Sequence, residues 1–387
     1  MNNTFAKFKL NEILSAKKEQ QTFRELKVSL SNNQYVKVNN QDFLNFSSND
    51  YLGLSQNPHT KKALIKGIEL YGGGSGASAL ITGFSKAHYE LCEYLKELTH
   101  KECVILFGAG FSANQALIKA FTNLNANLYL DKLVHASMID ALINDFFRYK
   151  HLSKEHLIKL INLNLEKDNN KPSALFTEGV YSMDGDMGNL KDLVEIRNQY
   201  NIPLVVDDAH GFGVIGEGLG SLKEQGLDYL DTDIYMATFS KAIGLQGAFI
   251  ACSKDFGDFL VNTSREVIYS TSMPPFLAYA IKENIKYILS DDGLNLRENL
   301  KTNIKIFKDT LKERAISDTH IQPIILKEND KTLKAYQKLM SQGFYVGAIR
   351  PPTVPQNTSR LRISLRGDFS NHDVTNLAQA IGEILGE

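Results

Sequence analysis

The middle of this chain repeats one pattern: a short apolar run, a stretch with helical periodicity, then another apolar run. The apolar runs fall at 103–107, 126–130, 174–178, 203–208, 234–238 and 248–251, with helical patterns between them, for example at 112–121 and 189–200. Runs this short and this continuously apolar are strands buried on both faces. Strands alternating with helices predict an α/β fold, a mostly parallel sheet covered on both sides. Around the repeat the pattern changes. Residues 1–30 read as an amphipathic helix with Phe5, Phe8, Leu10, Ile13 and Leu14 on its apolar side, followed by a hairpin at 35–38 and 43–46. Beyond about Pro275 helical segments dominate to Glu313, then strands at 321–326, 345–349 and 360–364 precede a final helix from Asn371. The expected division is an N-terminal helix and hairpin segment (1–45), a large α/β domain (46–280) and a smaller C-terminal α+β domain (281–387).

Composition excludes some classes of function. The 387 residues carry a formal net charge of -1, so there is no general pull toward nucleic acid or an anionic membrane. The basic run Lys7, Lys9, Lys17, Lys18, Arg24 and Lys27 reads as a solvated helix face, with an acidic partner as the sharper alternative. Three cysteines, Cys92, Cys103 and Cys252, in no C-x-x-C arrangement, fit a reducing compartment. No apolar run approaches the length of a membrane span, and 1–21 has no signal-peptide core, so a cytoplasmic location is expected. No cluster has metal-ligand spacing.

The chemistry concentrates at two strand ends. The run at 203–208 closes on Asp207 and Asp208 and is followed by His210. The run at 234–238 is followed by Ser240 and Lys241. Ligands of α/β sheets bind at the carboxyl ends of strands. A carboxylate that pairs with a pyridine nitrogen and a lysine that forms a Schiff base are what pyridoxal phosphate chemistry asks of a protein. Either acid alone could simply cap a turn, and most lysines are solvent-exposed; the combination with His210 argues otherwise. Thr238 and Ser240 offer hydroxyls to a phosphate. The segment Phe107-Gly108-Ala109-Gly110-Phe111-Ser112-Ala113-Asn114 runs from a strand into a helix start, an anion-binding geometry as well as an ordinary turn. His135, just past another strand, could stack on a flat ring or be a structural residue.

Two glycine-rich segments imitate nucleotide motifs. Gly211-Phe212-Gly213-Val214-Ile215-Gly216 matches G-x-G-x-x-G, but two acids and a histidine separate it from the strand and a further glycine loop follows. Tyr71-Gly72-Gly73-Gly74-Ser75-Gly76 lacks the Lys-Ser/Thr ending of a P-loop; a loop shaping a substrate entrance, with Ser75 in it, fits better. A Ser182-His210 hydrolase is disfavoured because no G-x-S-x-G surrounds Ser182.

With Asp207, His210 and Lys241 in place, the chain resembles the α-oxoamine synthases, pyridoxal phosphate enzymes of fold type I (the aspartate aminotransferase-like fold). The resemblance runs through residues 46–53 (FSSNDYLG), 177–186 (TEGVYSMDGD) and 207–213 (DDAHGFG). It implies that Lys241 carries the cofactor, Asp207 pairs with the pyridine nitrogen, His135 stacks on the ring, and His210 and Ser182 hold its 3-hydroxyl side. It implies that Gly110, Phe111, Thr238 and Ser240 lie around the phosphate, and that Thr271 and Ser272 reach it from a second subunit, hence a homodimer. Arg350 would hold an amino acid carboxylate; Asn49 and Arg24 would place an acyl substrate. Within the family, 268–275 (IYSTSMPP) and 348–355 (AIRPPTVP) are similar to the member that joins L-alanine to a pimeloyl thioester, carried by coenzyme A or by acyl carrier protein. The implied reaction is a decarboxylating Claisen condensation. Sister members use glycine or serine, glycine C-acetyltransferase among them. A non-catalytic subunit of this fold would be expected to lack Lys241. Ala77 stands where relatives commonly have Gly, Ala79 where they have Arg or Gly, and Ser240 where many have Gly.

Overall fold

The computed structural model describes residues 6–20, 22–26, 28–32, 34–143 and 146–386. Phe5 and Lys27, assigned above to the N-terminal helix and its basic face, lie outside them.

The N-terminal helix is shorter than its periodicity predicts: Leu10–Glu19, preceded by one turn at Ala6–Phe8. The backbone N–H groups of Thr22 and Phe23 both return to the Lys17 carbonyl, which closes the last turn. Leu10, Ile13 and Leu14 are exposed, so this helix buries no apolar stripe within the chain. The hairpin is present and longer by a strand: β1 (Ser29–Asn32), β2 (Tyr35–Val38) and β3 (Gln41–Asn45) form an antiparallel meander.

The alternating middle of the chain gives a seven-stranded sheet. Its strands are β4 (Cys103–Phe107), β5 (Asn127–Asp131), β6 (Phe146–Tyr149), β7 (Ser173–Glu178), β8 (Leu204–Asp207), β9 (Ile234–Thr238) and β10 (Ala248–Cys252). The spatial order is β4-β10-β9-β8-β7-β5-β6. All neighbours are parallel except β10, which runs antiparallel to both β4 and β9. The continuous apolarity of the runs has the cause inferred from the sequence. Leu204, Val206, Tyr235 and Ala237 pack into one core, while Val205, Ile234 and Met236 pack into another on the opposite face. The helix Gly110–Asn123 seats Ala113, Ala116, Leu117, Ala120 and Phe121 on the second face. β6 is a strand the periodicity did not single out; it lies at the sheet edge with Phe146 exposed.

The C-terminal part builds a three-stranded antiparallel sheet from β11 (Ile321–Lys327), β13 (Gly347–Ile349) and β14 (Ser359–Ser364), in the order β11-β14-β13. The helix Asn329–Ser341 lies against it. The single strand expected at 345–349 is two. β12 (Phe344–Tyr345) pairs parallel with β3, whereas β13 pairs with β14. Val346, buried between them, is where the chain changes sheets. The parallel register puts Glu178 beside Asp207 at the carboxyl edge of the large sheet, with Thr238 ending the next strand. Among the described residues no helix is long and apolar enough to cross a membrane.

Candidate active site

A cavity of about 210 Å³ opens at that edge, lined among others by Gly110, Phe111, His135, Asp207, His210, Thr238, Ser240 and Lys241. Eight residues singled out from separate stretches of sequence thus converge on one hollow. Asp207 is held from two sides: the Ala209 N–H donates to Oδ1 at 2.9 Å and Asn114 Nδ2 donates to Oδ2 at 2.7 Å. Asn114 Nδ2 also reaches Ser137 Oγ at 3.0 Å, and Ser137 Oγ lies 2.8 Å from His135 Nδ1. One chain of polar contacts therefore fixes the His135 ring relative to the Asp207 carboxylate. Asn114, Ser137 and Glu178 line the cavity as well and went unassigned in the sequence. Asn114 sits one turn into the helix that begins at Gly110, which was a usable signal. Ser137 and Glu178 gave none.

The electrostatics follow from burial. Desolvation lowers the Lys241 amine below its usual range, against the upward pull of Asp207 and Glu178, which favours a neutral, nucleophilic and basic nitrogen. Burial drives His210 well below its usual value, helped by the nearby Arg362 guanidinium. Burial and then the neighbouring Asp207 push the Glu178 carboxyl well above the usual carboxylate range, and its Oε1 is unpartnered among the described residues. Asp208 points away from the cavity. It accepts from the Ser221 N–H at 2.7 Å, from Ser221 Oγ and from Tyr235 Oη at 2.7 Å, and burial raises it to about 6. A Cβ at Gly211 would lie 2.1 Å from Asp208 Oδ1. The glycine loop that imitates a dinucleotide fingerprint makes room for this carboxylate.

The remaining expected residues are not among those that line the hollow. Ser182 is buried, and its carbonyl accepts from Arg362 Nε at 2.7 Å. Asn49 Oδ1 accepts from Arg362 Nη1 at 3.0 Å. Arg24 donates to Thr353 Oγ1 at 3.0 Å in the loop that follows Arg350. Arg350 Nε is buried with no partner among the described residues, a donor in place for an anion. Ser75 Oγ donates to the Ser272 carbonyl at 2.8 Å, and Thr271 pairs with Ser78, so the glycine loop and the 271–272 segment are tied together, and none of these residues lines this subunit's cavity. Arg362 itself was not foreseen. It is buried, and its partners are neutral oxygens of Ser182, Asn49, Ser364 and Tyr51.

These residues fit pyridoxal phosphate. A desolvated lysine, a doubly held strand-end carboxylate, a ring histidine and a helix start flanked by hydroxyls define a pyridoxal phosphate-dependent enzyme of the aminotransferase-like fold. Comparison with known proteins narrows the class. The family model for aminotransferase class I and II matches residues 41–381. An 8-amino-7-oxononanoate synthase of Vibrio parahaemolyticus is 39% identical over 98% of each protein, and one of Aeromonas hydrophila is 39% identical over 83% of this chain and 81% of its own. Among solved structures, a serine palmitoyltransferase from S. paucimobilis superposes with a TM-score of 0.88 at 23% identity, covering 99% of this chain and 98% of that one. An 8-amino-7-oxononanoate synthase from Francisella tularensis superposes with a TM-score of 0.74 at 25% identity, covering 89% and 98%. The chain belongs to the aminotransferase class I and II family and, within it, to the 8-amino-7-oxononanoate synthases, pyridoxal phosphate-dependent acyltransferases of biotin biosynthesis.

Proposed function

We propose that the chain condenses L-alanine with a pimeloyl thioester to give 8-amino-7-oxononanoate, carbon dioxide and the free carrier thiol. The observation that carries this reading is the Arg350 segment, AIRPPTVP, whose guanidinium Nε is buried with no partner among the described residues. On this reading the cofactor attaches through Lys241 Nζ, with Asp207 at its ring nitrogen, His135 against its ring, and His210 and Ser182 on its 3-hydroxyl side. Gly110, Phe111, Thr238 and Ser240 surround its phosphate. When bound, pyridoxal phosphate supplies the electron sink that lets an amino acid α-carbon carry negative charge.

The chain's own groups do the rest. Arg350 grips the alanine carboxylate through its guanidinium. Lys241, whose amine burial makes easier to hold neutral, takes the α-proton and returns it to the product. His210 donates a hydrogen bond to the thioester carbonyl oxygen. Asn49, Arg24 and Ser75 place the acyl arm. Thr271 and Ser272 of the partner subunit complete the phosphate site, so the working unit is a homodimer. The exposed apolar side chains Ile81 and Tyr269, near that segment, support a covered face there. Residues 46–280 then form the cofactor domain, 281–387 the smaller domain and 1–45 the segment beside it, and the enzyme works in the cytoplasm on a coenzyme A or acyl carrier protein thioester.

Visible absorbance of the cofactor-loaded protein, titrated separately with L-alanine, glycine and L-serine and then with pimeloyl thioesters, tests the assignment. The band should shift at the lowest concentration with alanine, and product should form only with the pimeloyl donor. A preference for glycine or serine would transfer the chain to a sister reaction.

A further inference from the structure

His210 is a polar group whose proton can sit on either ring nitrogen, and the choice decides whether it donates or accepts toward a ligand. Its environment makes the choice. His210 Nδ1 lies 2.6 Å from the Tyr51 hydroxyl, inside the core, where Tyr51 is fully buried. Arg362 Nη2 approaches the same hydroxyl oxygen at 3.5 Å, and a guanidinium can only donate. The Tyr51 oxygen is thereby an acceptor toward Arg362, and its own proton is left for another group. Two acceptors compete for it. Asn49 Oδ1, at 3.2 Å, already accepts from Arg362 Nη1 at 3.0 Å. His210 Nδ1, at the shorter 2.6 Å, is the better placed.

We propose that Tyr51 is a positioning residue whose hydroxyl donates to His210 Nδ1 and so fixes the tautomer that carries its proton on Nε2. The nitrogen turned away from Tyr51 is then a donor on the side of the cavity that His210 lines. The surroundings hold the arrangement. The His320 ring packs on Tyr51 at a centroid distance of 4.0 Å, and the Tyr51 and His210 rings lie 6.0 Å apart. Burial first, and then Arg362, lowers His320 to about 3, so it stays neutral beside the pair. Burial raises the Tyr51 hydroxyl to about 12, so it keeps the proton it donates. Tyr51 thus links Arg362, on β14 of the C-terminal sheet, to His210, past the end of β8, through one oxygen.

The inference deepens the role given to His210 above, and its first test is independent of the reaction. Nitrogen NMR of histidine-labelled, cofactor-loaded protein, with the His210 signals identified through His210→Asn, reads which ring nitrogen is protonated. Wild type should show His210 protonated at Nε2. Tyr51→Phe, which keeps the ring and removes only the oxygen, should show a mixture of tautomers or the Nδ1-protonated form. A wild-type His210 protonated at Nδ1, or a His210 spectrum unchanged in Tyr51→Phe, would overturn the proposal whatever the substrate proves to be. In turnover, Tyr51→Phe should lose at least about tenfold in kcat while the KM for the amino acid moves less than about threefold. A loss confined to KM would also count against it. Should Tyr51→Phe fail to fold, the wild-type spectrum alone decides.

Discussion

Single residues in this site are defined by what burial does to their charge. Lys241 is the clearest case: a primary amine shielded from water is easier to keep neutral than one in bulk solvent, and a neutral amine can attack and accept a proton. Lys241→Ala is expected to abolish the visible absorbance band of the bound cofactor and to reduce turnover at least about a thousandfold; retained turnover measured by product formation would remove Lys241 from its role. His151 shows the opposite balance. Burial alone would lower it, but Nδ1 lies 2.7 Å from Asp131 Oδ1 and Nε2 contacts Asp186, and these two carboxylates hold it up at about 9. It ties the end of β5 to the loop that follows Ser182. A histidine raised in the folded state stabilises fully below its ordinary value near 6.5, and that contribution fades as pH climbs through about 9. His151→Ala should therefore cost on the order of 2–3 kcal/mol near pH 6 and much less near pH 10, read by urea unfolding at both. An equal loss at both would mean that packing against Tyr181, not charge, is what His151 supplies. Arg362 shows why such residues hide in a sequence. In Ser359-Arg360-Leu361-Arg362-Ile363-Ser364 the alternation reads as a strand with one wet face, yet all six residues are buried. Arg360 faces Asp184, and Arg362 faces the Ser182 carbonyl and Asn49. Partners distant in sequence turn a solvent-facing pattern inward.

Among the elements, legibility tracked how far local chemistry decided the outcome. β4 and β9 fall at the residues expected because both are continuous apolar runs ended by polar or glycine residues, buried by whatever covers them. β6 was missed because Phe146-Phe147-Arg148-Tyr149 sits at an edge, where its neighbour β5 and not its own pattern makes it a strand. The break at Val346 was missed because a strand that leaves one sheet for another keeps its alternation throughout. The helix at Gly110–Asn123 bears on the site. A helix's first N–H groups have no partner within the helix, and here they open at the cavity beside Thr238. A Cβ at Gly110 would lie 2.5 Å from Thr238 Cγ2, so the helix start approaches β9 more closely than any larger residue allows. Gly110→Ala is expected to cost about 1–3 kcal/mol of stability and to weaken cofactor binding. Adding Thr238→Ser, which keeps the hydroxyl and deletes the methyl in the way, should restore most of both. Denaturant unfolding and cofactor titration of the single and double variants check this; no recovery in the double variant would place the cost in the glycine backbone.

At the scale of the whole molecule, the proposed site includes two hydroxyls, those of the 271–272 segment, that do not line this subunit's own cavity. That segment is bridged to Ser78 and hydrogen-bonded to the glycine loop, and Thr271 is exposed. The same surface carries Ile81 at 76% and Tyr269 at 71% exposure, large apolar side chains that a second copy would cover. If each cavity borrows these hydroxyls across a two-fold axis, every dimer has two composite sites, each using one subunit's Lys241 and the other's Thr271 and Ser272. Two variants that are each inactive can then repair one another. Lys241→Ala lacks the lysine at both sites, and Thr271→Ala/Ser272→Ala lacks the borrowed hydroxyls at both. In a mixed dimer both defects fall on one site and leave the other intact. Unfolding and refolding an equal mixture should therefore recover about a quarter of wild-type turnover, since random pairing makes half the dimers mixed and each of those has one working site of two. Should the hydroxyls serve the cavity of their own subunit, each site in a mixed dimer carries one defect and mixing recovers nothing.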